Sequence, residues 1–421
     1  MSEPLRGALR RVDLVAPPME GHLHPVLGIA VRLAEERDLA VRVISTAAAQ
    51  PAIRAAGLDG VTVSPGADAL VESVVNPPYR VGSNPRRLLA QFRGTVTLQQ
   101  GLYDALLPVW ADQPPDLVIA DFTVPAAGLA ADRLGLEWWT THPSPCVIEA
   151  RSGPPAYLGG WRPGASLPGR ARDAAGRAWT RGFKRTAFAL ARRRLAALGL
   201  RSPYRPDGSE VVYSPDRVFA LVPPALEYPR DLPPAVRFVG PVLFTPPTDR
   251  PPPVLAPGRR HVLVTAGTQV PWHKAALVAQ VARAAAALPD VELHVSLGGS
   301  DVDVPPAEGV VMHRYVDYAR DLARFDAVVH HGGAGVLGHT LAAGLPAVVV
   351  PVDYDQFDHA VRLEDAGVAV RLHRPEQLAD RVRQVLDEPQ WTARARELAA
   401  GIHTQPAVDA VAAEVRRRLG P

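Results

Sequence analysis

Two groups of residues in the chain have types and spacings that can do chemistry. The first lies in "HHGGAGVLGHTLAAGLPAVVVPVDYDQ", residues 330–356, where Gly333, Gly335 and Gly338 spell GxGxxG between a strand-like "DAVVHH" and a helix-like "VLGHTLAAG". A strand that stops at glycines and opens a helix aims unpaired backbone N–H groups, and the positive end of the helix dipole, at whatever lies beyond it. That geometry suits any diphosphate. Asp353, about twenty residues on, fits a dinucleotide fingerprint and so keeps NAD open. Three features favour another diphosphate: the motif sits in the second half of the chain, its strand ends in His330 and His331, and the next strand runs into "PVDYDQFDHA". An imidazole at a helix N-terminus can donate to a phosphate oxygen, and Asp355 with Gln356 offers paired acceptors and donors to adjacent hydroxyls of a polyol.

The second group lies near the start, in "APPMEGHLHPVLGIAVRLAEE". Gly21 lets the chain turn sharply after an apolar strand, and His22 sits just before a helix, where a neutral imidazole can take a proton near physiological pH. His24 is the competing candidate. A base of this kind improves when a carboxylate orients its other nitrogen, and Asp121, closing the apolar strand "DLVIAD", emerges at the same sheet edge. A turn or helix-capping aspartate is the plain alternative for Asp121.

Positioning these groups needs strands whose ends face one cleft. Short β-branched runs alternate with alanine-rich helical stretches, and the alternation happens twice, first from "RVDLVAP" to "RVFALVP" (11–223), then from "HVLVTAG" to "VAVRLH" (261–373). The proline-rich "GPVLFTPPTDRPPPVLAPGRR" between them reads as a semi-rigid connector. The expected division is an N-terminal Rossmann-like domain over 1–240, a linker over 241–258, a second Rossmann-like domain over 259–400 and a C-terminal helix over 401–421. In that helix Val408, Val411, Ala412, Val415 and Leu419 share one face, which should pack on the core.

Composition narrows the functions. A 421-residue chain that is 47% hydrophobic can bury large cores. A net charge of +3 makes the whole molecule no nucleic-acid binder. The single cysteine, Cys146, excludes an internal disulfide; with no signal-peptide core and no apolar run of membrane length, the expectation is a cytoplasmic protein.

The string "HHGGAG…LAAGLPAVVVP…DQFDHA" resembles the donor signature of family 1 glycosyltransferases, the UDP-glycosyltransferase-like enzymes. That resemblance implies the GT-B fold: α/β, with two facing doubly wound domains and an interdomain cleft. Upstream, "VLVTAGT" resembles the first strand of the second domain with its phosphate-contacting Thr268, and "HRYVDYARDLARFDAVVHHGG" resembles the segment whose aromatic residue stacks on the nucleobase, here Tyr315 followed by Val316. By the same resemblance His331 binds the diphosphate, Gly332, Gly333 and Gly335 supply close backbone, Asp355 and Gln356 read the sugar, and the "GHxxP" string puts His22 in the base position with Asp121 as its partner. Two positions depart from the family pattern. Val336 replaces a Ser or Thr hydroxyl on phosphate, and His359 replaces an Asn.

The reaction implied is inverting displacement, in which a hydroxyl or amine of a lipophilic acceptor attacks the anomeric carbon of a UDP- or dTDP-sugar. The nucleotide sugar is a co-substrate, no other cofactor is expected, and a helix terminus, imidazole and hydroxyls can stabilise the leaving diphosphate without a metal. His330 reads as a satisfied strand-end histidine, and a metal on His330 and His331 is discarded because adjacent strand residues face opposite ways. The acidic pairs "DVD" (301–303) and "DYD" (353–355) are weak metal signals. Two other readings stay open: a catalytically silent nucleotide-sugar-binding helper, and an NAD-dependent oxidoreductase.

Residues 161–205 carry twelve Arg or Lys side chains against Asp173 alone, and Trp179, Phe183, Ala187, Leu190, Ala191, Leu195 and Leu198 follow helical spacing. This segment is a helix capping the first domain with a solvated arginine face, or a peripheral contact with an anionic membrane. Trp138, Trp139, Tyr157 and Trp161 are candidates for an apolar acceptor cleft or for core.

Overall fold

The computed structural model describes residues 9–82, 84–269, 271–298 and 308–420. Two all-parallel sheets organise them. The first contains β1 (Arg10–Val15), β2 (Leu39–Ser45), β3 (Asp59–Thr62), β4 (Leu117–Asp121), β5 (Trp138–His142), β6 (Val218–Ala220) and β7 (Val236–Phe238), in the order β3-β2-β1-β4-β5-β6-β7. The second contains β8 (Arg260–Thr265), β9 (Val291–Ser296), β10 (Val310–His313), β11 (Ala327–His330), β12 (Ala347–Val349) and β13 (Ala369–Arg371), in the order β10-β9-β8-β11-β12-β13. Helices cover both faces, so the strands bury both sides and read as apolar runs: Val12, Leu14, Val43 and Ile119 in the first sheet, and Val262, Leu263, Val264 and Val328 in the second, are fully buried.

The first and last runs of both series form strands, β1 and β6 in the first sheet and β8 and β13 in the second. β7 is not expected from the sequence, because "PPAVRFVG" offers only three ladder residues, one position after two prolines. The strand order reverses between β1 and β4 and again between β8 and β11, which opens a crevice beyond the strand C-termini in each half. His22 and Asp121 flank the first crevice, and Thr268 and His331 the second.

Three of the connections that hold the halves face to face stand out. The linker runs without regular structure along the helix Glu20–Ala34, so close that a Cβ on Gly28 would fall 2.6 Å from Val242 and 2.7 Å from Phe244. The last helix, Ala407–Leu419, crosses back to the first half, where Val411, Ala412 and Val415 are fully buried in the cluster that includes Leu27 and Ile29. At the third connection the helix Gln356–Asp365 meets first-half loops: Arg362 donates to Glu227, each side chain 4% exposed, and the Asp358 carboxylate accepts from the Tyr157 N–H at 2.9 Å. Among the described residues no helix is long and apolar enough to cross a membrane.

Candidate active site

A cavity of about 660 Å³ lies between the halves, with His22, Phe122, Thr268, His331, Asp355 and Gln356 all on its wall. On the first-half side, His22 is the third residue of its helix and Asp121 the last of β4. The His22 Nδ1 sits 3.1 Å and 3.3 Å from the two Asp121 oxygens, which leaves Nε2 as the ring nitrogen for the cavity. Asp121 Oδ1 also accepts from the backbone N–H of Thr123 at 2.9 Å and from its hydroxyl. The carboxylate thus closes a turn and holds the imidazole at once. It does not cap the next helix, whose N-cap is Val124. Burial works against a charge on His22, but the Asp121 charge and hydrogen bond, with Asp355 further away, outweigh it and raise the pKa above 6.5.

His24 lines the same cavity in a different setting. Burial, with the nearby His339 ring, pulls its pKa down to about 4, against the weaker pull of Asp317. No carboxylate orients it among the described residues, and so weak a base is a poor proton acceptor at neutral pH.

On the second-half side, His331 is held by two glycines. A Cβ on Gly267 would lie 2.5 Å from the His331 ring, and one on Gly333 would lie 2.3 Å from its Nε2. Burial lowers the His331 pKa to about 4, so the ring is neutral at pH 7, and its buried Nδ1 has no partner among the described residues. Gly333 is the N-cap of the helix Ala334–Ala342, whose first-turn N–H groups open towards the cavity. Gly332 adopts φ +92°, a left-handed conformation that lets the chain leave β11 and enter this helix. Its N–H donates to His330 Nδ1 and its carbonyl accepts from His359 Nδ1 at 2.8 Å. His330 is therefore a satisfied strand-end histidine, and His359, unusual against the family pattern, braces the glycine turn. Gly335 comes within 3.9 Å (from an added Cβ) of the Gly21 Cα, where the two helix starts meet across the cleft.

Three positions carry adjustments to the sequence reading. The Gln356 carbonyl oxygen accepts from the N–H groups of Val352 and Asp353, at 2.8 and 3.1 Å, so only its amide NH₂ remains for a hydroxyl. Asp355 keeps both carboxylate oxygens free of hydrogen bonds among the described residues. The Val316 and Val336 side chains are buried in an apolar cluster with Leu263, Phe325 and Val328, so Val316 can serve a ligand only through its backbone, and Val336 offers the phosphate loop no polar group. Tyr315 lines the cavity with the Arg250 guanidinium 5.2 Å from its ring centroid. Thr268 lies beside the cavity, its carbonyl 3.5 Å from Lys274 Nζ. Of the four aromatics weighed for the acceptor, Trp138 and Trp139 are core at 2% exposure and Trp161 packs under Arg172; Tyr157 alone lines the cleft. Asp301 and Asp303 lie outside the described residues.

The sequence reading missed Thr123, the bracing role of His359, and Gln91, whose amide reaches across the cleft to the Tyr354 hydroxyl at 3.0 Å. Thr123 carried a signal, since Asp-x-Thr is the spacing of an Asx turn. The other two depend on contacts between segments far apart in the chain.

Residues 294–417 match the family described as Erythromycin biosynthesis protein CIII-like, C-terminal domain. The chain is 32% identical over 309 residues to 4'-demethylrebeccamycin synthase of Lentzea aerocolonigenes, a match that spans 70% of this chain and 71% of that protein. It belongs to the family 1 glycosyltransferases. Solved structures agree on the GT-B fold: the glycosyltransferase of kitacinnamycin superposes with a TM-score of 0.75 at 20% identity, covering 98% of this chain and 100% of that one. A Streptomyces sp. SF2575 glycosyltransferase complexed with thymidine diphosphate superposes with a TM-score of 0.66 at 22% identity, covering 97% and 99%. This glycosyltransferase is thus an enzyme of natural-product biosynthesis, and the oxidoreductase reading of its GxGxxG falls.

Proposed function

We propose that this glycosyltransferase moves a sugar, with inversion, from a dTDP- or UDP-activated donor to a hydroxyl or amine of a lipophilic small molecule such as a polyketide or another aglycone. The observation that carries the reading is the His22–Asp121 pair on one wall of the cleft, facing a helix N-terminus and the His331 ring on the other. In this reading the part up to 240 binds the acceptor and 259–400 binds the donor. The acceptor hydroxyl gives its proton to His22 Nε2 as its oxygen attacks the anomeric carbon, and Asp121 holds the Nδ1 proton and balances the imidazolium. The bond to the diphosphate breaks on the opposite face of the sugar, and the departing charge meets the first-turn N–H groups, His331 and Thr268.

Tyr315 offers a face to the base, and the backbone N–H and C=O of Val316, unpaired among the described residues, match the acceptor and donor on a pyrimidine edge. Asp355, with the remaining amide hydrogens of Gln356, suits a sugar hydroxyl pair. The thymidine diphosphate bound to the Streptomyces sp. SF2575 protein favours dTDP as the first donor to try. Apolar side chains such as Val71, Leu98, Leu102 and Phe122 line the acceptor side.

The test is a screen of dTDP-deoxysugars and UDP-glucose against a panel of aglycones, read by mass, with the anomeric configuration of each product read by NMR. Inverted product with loss of turnover in His22→Ala supports the proposal. A retained configuration refutes the mechanism, and nucleotide binding without turnover on any acceptor would favour the silent helper.

A further inference from the structure

At the far end of the second sheet, away from the cleft, three side chains converge that the reaction does not use. His261 is the second residue of β8, Glu292 and His294 are the second and fourth of β9, and the register pairs His261 with Glu292. Alternation puts all three on one face. His261 Nδ1 lies 3.0 Å from His294 Nε2 and 3.4 Å from a Glu292 oxygen, which is 3.1 Å from the same His294 nitrogen.

We propose that His261 Nδ1, His294 Nε2 and Glu292 form a three-ligand site for a divalent transition-metal ion of the Zn²⁺ kind. Bonds of about 2.0–2.1 Å in a tetrahedron set the ligands about 3.3 Å apart, and the three distances bracket that edge. Two imidazoles and a carboxylate are a donor set this ion accepts. The outer partners that such ligands need are also in place. His261 Nε2 lies 2.9 Å from the Ala256 carbonyl, which fixes the proton there and leaves Nδ1 as a lone pair. His294 Nδ1 lies 2.9 Å from His313 Nε2, so a proton on His294 Nδ1 frees its Nε2. The Glu292 side chain is 15% exposed, which leaves an entry path and a fourth position for water.

The ion would tie the linker's end, through Ala256, to β8 and β9. His261 is four residues before Thr265, so the site lies about 13 Å from the donor end of the strand and takes no part in the transfer.

The experiment uses the full chain without a purification tag, stripped by chelator and then titrated with Zn²⁺ by calorimetry, with Co²⁺ as a spectroscopic probe. The expected result is one Zn²⁺ per chain, a thermal midpoint that rises on loading, and an initial transfer rate that chelator leaves unchanged. Glu292→Gln keeps the shape of the side chain and removes only its charge, so it should fold. It should weaken Zn²⁺ at least tenfold, and His313→Asn, which disturbs only the outer partner, should weaken it less. Absence of stoichiometric binding, or equal affinity in wild type and Glu292→Gln, overturns the proposal. In that case the rings form only a hydrogen-bonded chain, with His313 donating to His294 and His294 to His261.

Discussion

Asn at position 121 should harm transfer more than Ala does. Asp121 Oδ1 takes two hydrogen bonds from Thr123 and stands 3.1 Å from the His22 Nδ1, while Oδ2 stands 3.3 Å from the same nitrogen. In Asp121→Asn the amide oxygen stays with the Thr123 donors, so the amide NH₂ falls in the Oδ2 place and competes with that oxygen for His22 Nδ1, favouring rings that offer it a lone pair there. Such a ring carries its proton on Nε2, facing the acceptor, and cannot take another without becoming an unsupported cation. In Asp121→Ala either tautomer is open, and only the charge-assisted hydrogen bond is lost, about 1.5–3 kcal/mol, or roughly ten- to a hundredfold in rate. Asp121→Asn adds a population of the wrong tautomer and should move the loss beyond that of Asp121→Ala, toward the roughly 10²- to 10⁴-fold of His22→Ala. The assay is single-turnover transfer to an alcohol acceptor, with dTDP affinity measured alongside to show an intact donor half. An Asp121→Asn variant that outperforms Asp121→Ala would refute the tautomer argument, and with it the orienting role of Asp121.

The raised pKa of His22 places the acid limb of kcat/KM above pH 6.5, because the base works only when neutral and activity falls as pH drops through that value; Asp121→Ala leaves burial dominant and should move the limb below 6.5. A profile with an unmoved limb would assign the titration to another group. His331→Ala should weaken dTDP or UDP by roughly 1.5–3 kcal/mol and the bare nucleoside hardly at all, by calorimetry. Gly333→Ala should mimic it, since φ −65° at Gly333 suits alanine while the new methyl would displace the ring. Val336→Thr should lower the thermal midpoint, by about 1–3 kcal/mol of stability, because its hydroxyl would enter an apolar cluster. If the helix Leu167–Ala197 meets anionic membranes, sedimentation with anionic vesicles should exceed that with neutral ones and fall with salt; no binding at low salt would return it to a plain cap.

That last helix shows where a periodic pattern is ambiguous. Leu195 and Leu198 are buried, as a capping face requires, yet Trp179, Phe183 and Leu190 on the same run are 71%, 55% and 71% exposed. Spacing reveals that a face is apolar, not what covers it. Several of the local charges are also spent on fold contacts, Arg181 and Lys184 on Glu149 and Arg162 on Glu364 and Asp365. The sheets were legible because parallel strands buried on both faces leave uninterrupted β-branched runs. His22, Asp121 and His331 were legible because strand C-termini in doubly wound sheets share one edge. The His261–Glu292–His294 set was not, because its members meet only through strand register, and Gln356 misled because its loop contacts are invisible in a motif.

The buried Glu227–Arg362 pair makes the helix Gln356–Asp365 a lever. Parting these charges would strand Arg362, whose side chain is 4% exposed, while Glu227 keeps Arg230; that costs several kcal/mol, so this end of the helix serves as the pivot when the halves move. The other end carries Asp355 and Gln356 and is tethered more lightly, by the Tyr157 N–H on the Asp358 carboxylate and by the Gln91 amide on the Tyr354 hydroxyl, about 1.5–3 and about 1 kcal/mol to break. Displacement therefore grows toward the residues that face the sugar. Substrate entry and product exit would be gated at the tip of the donor helix, with the linker side of the molecule held still.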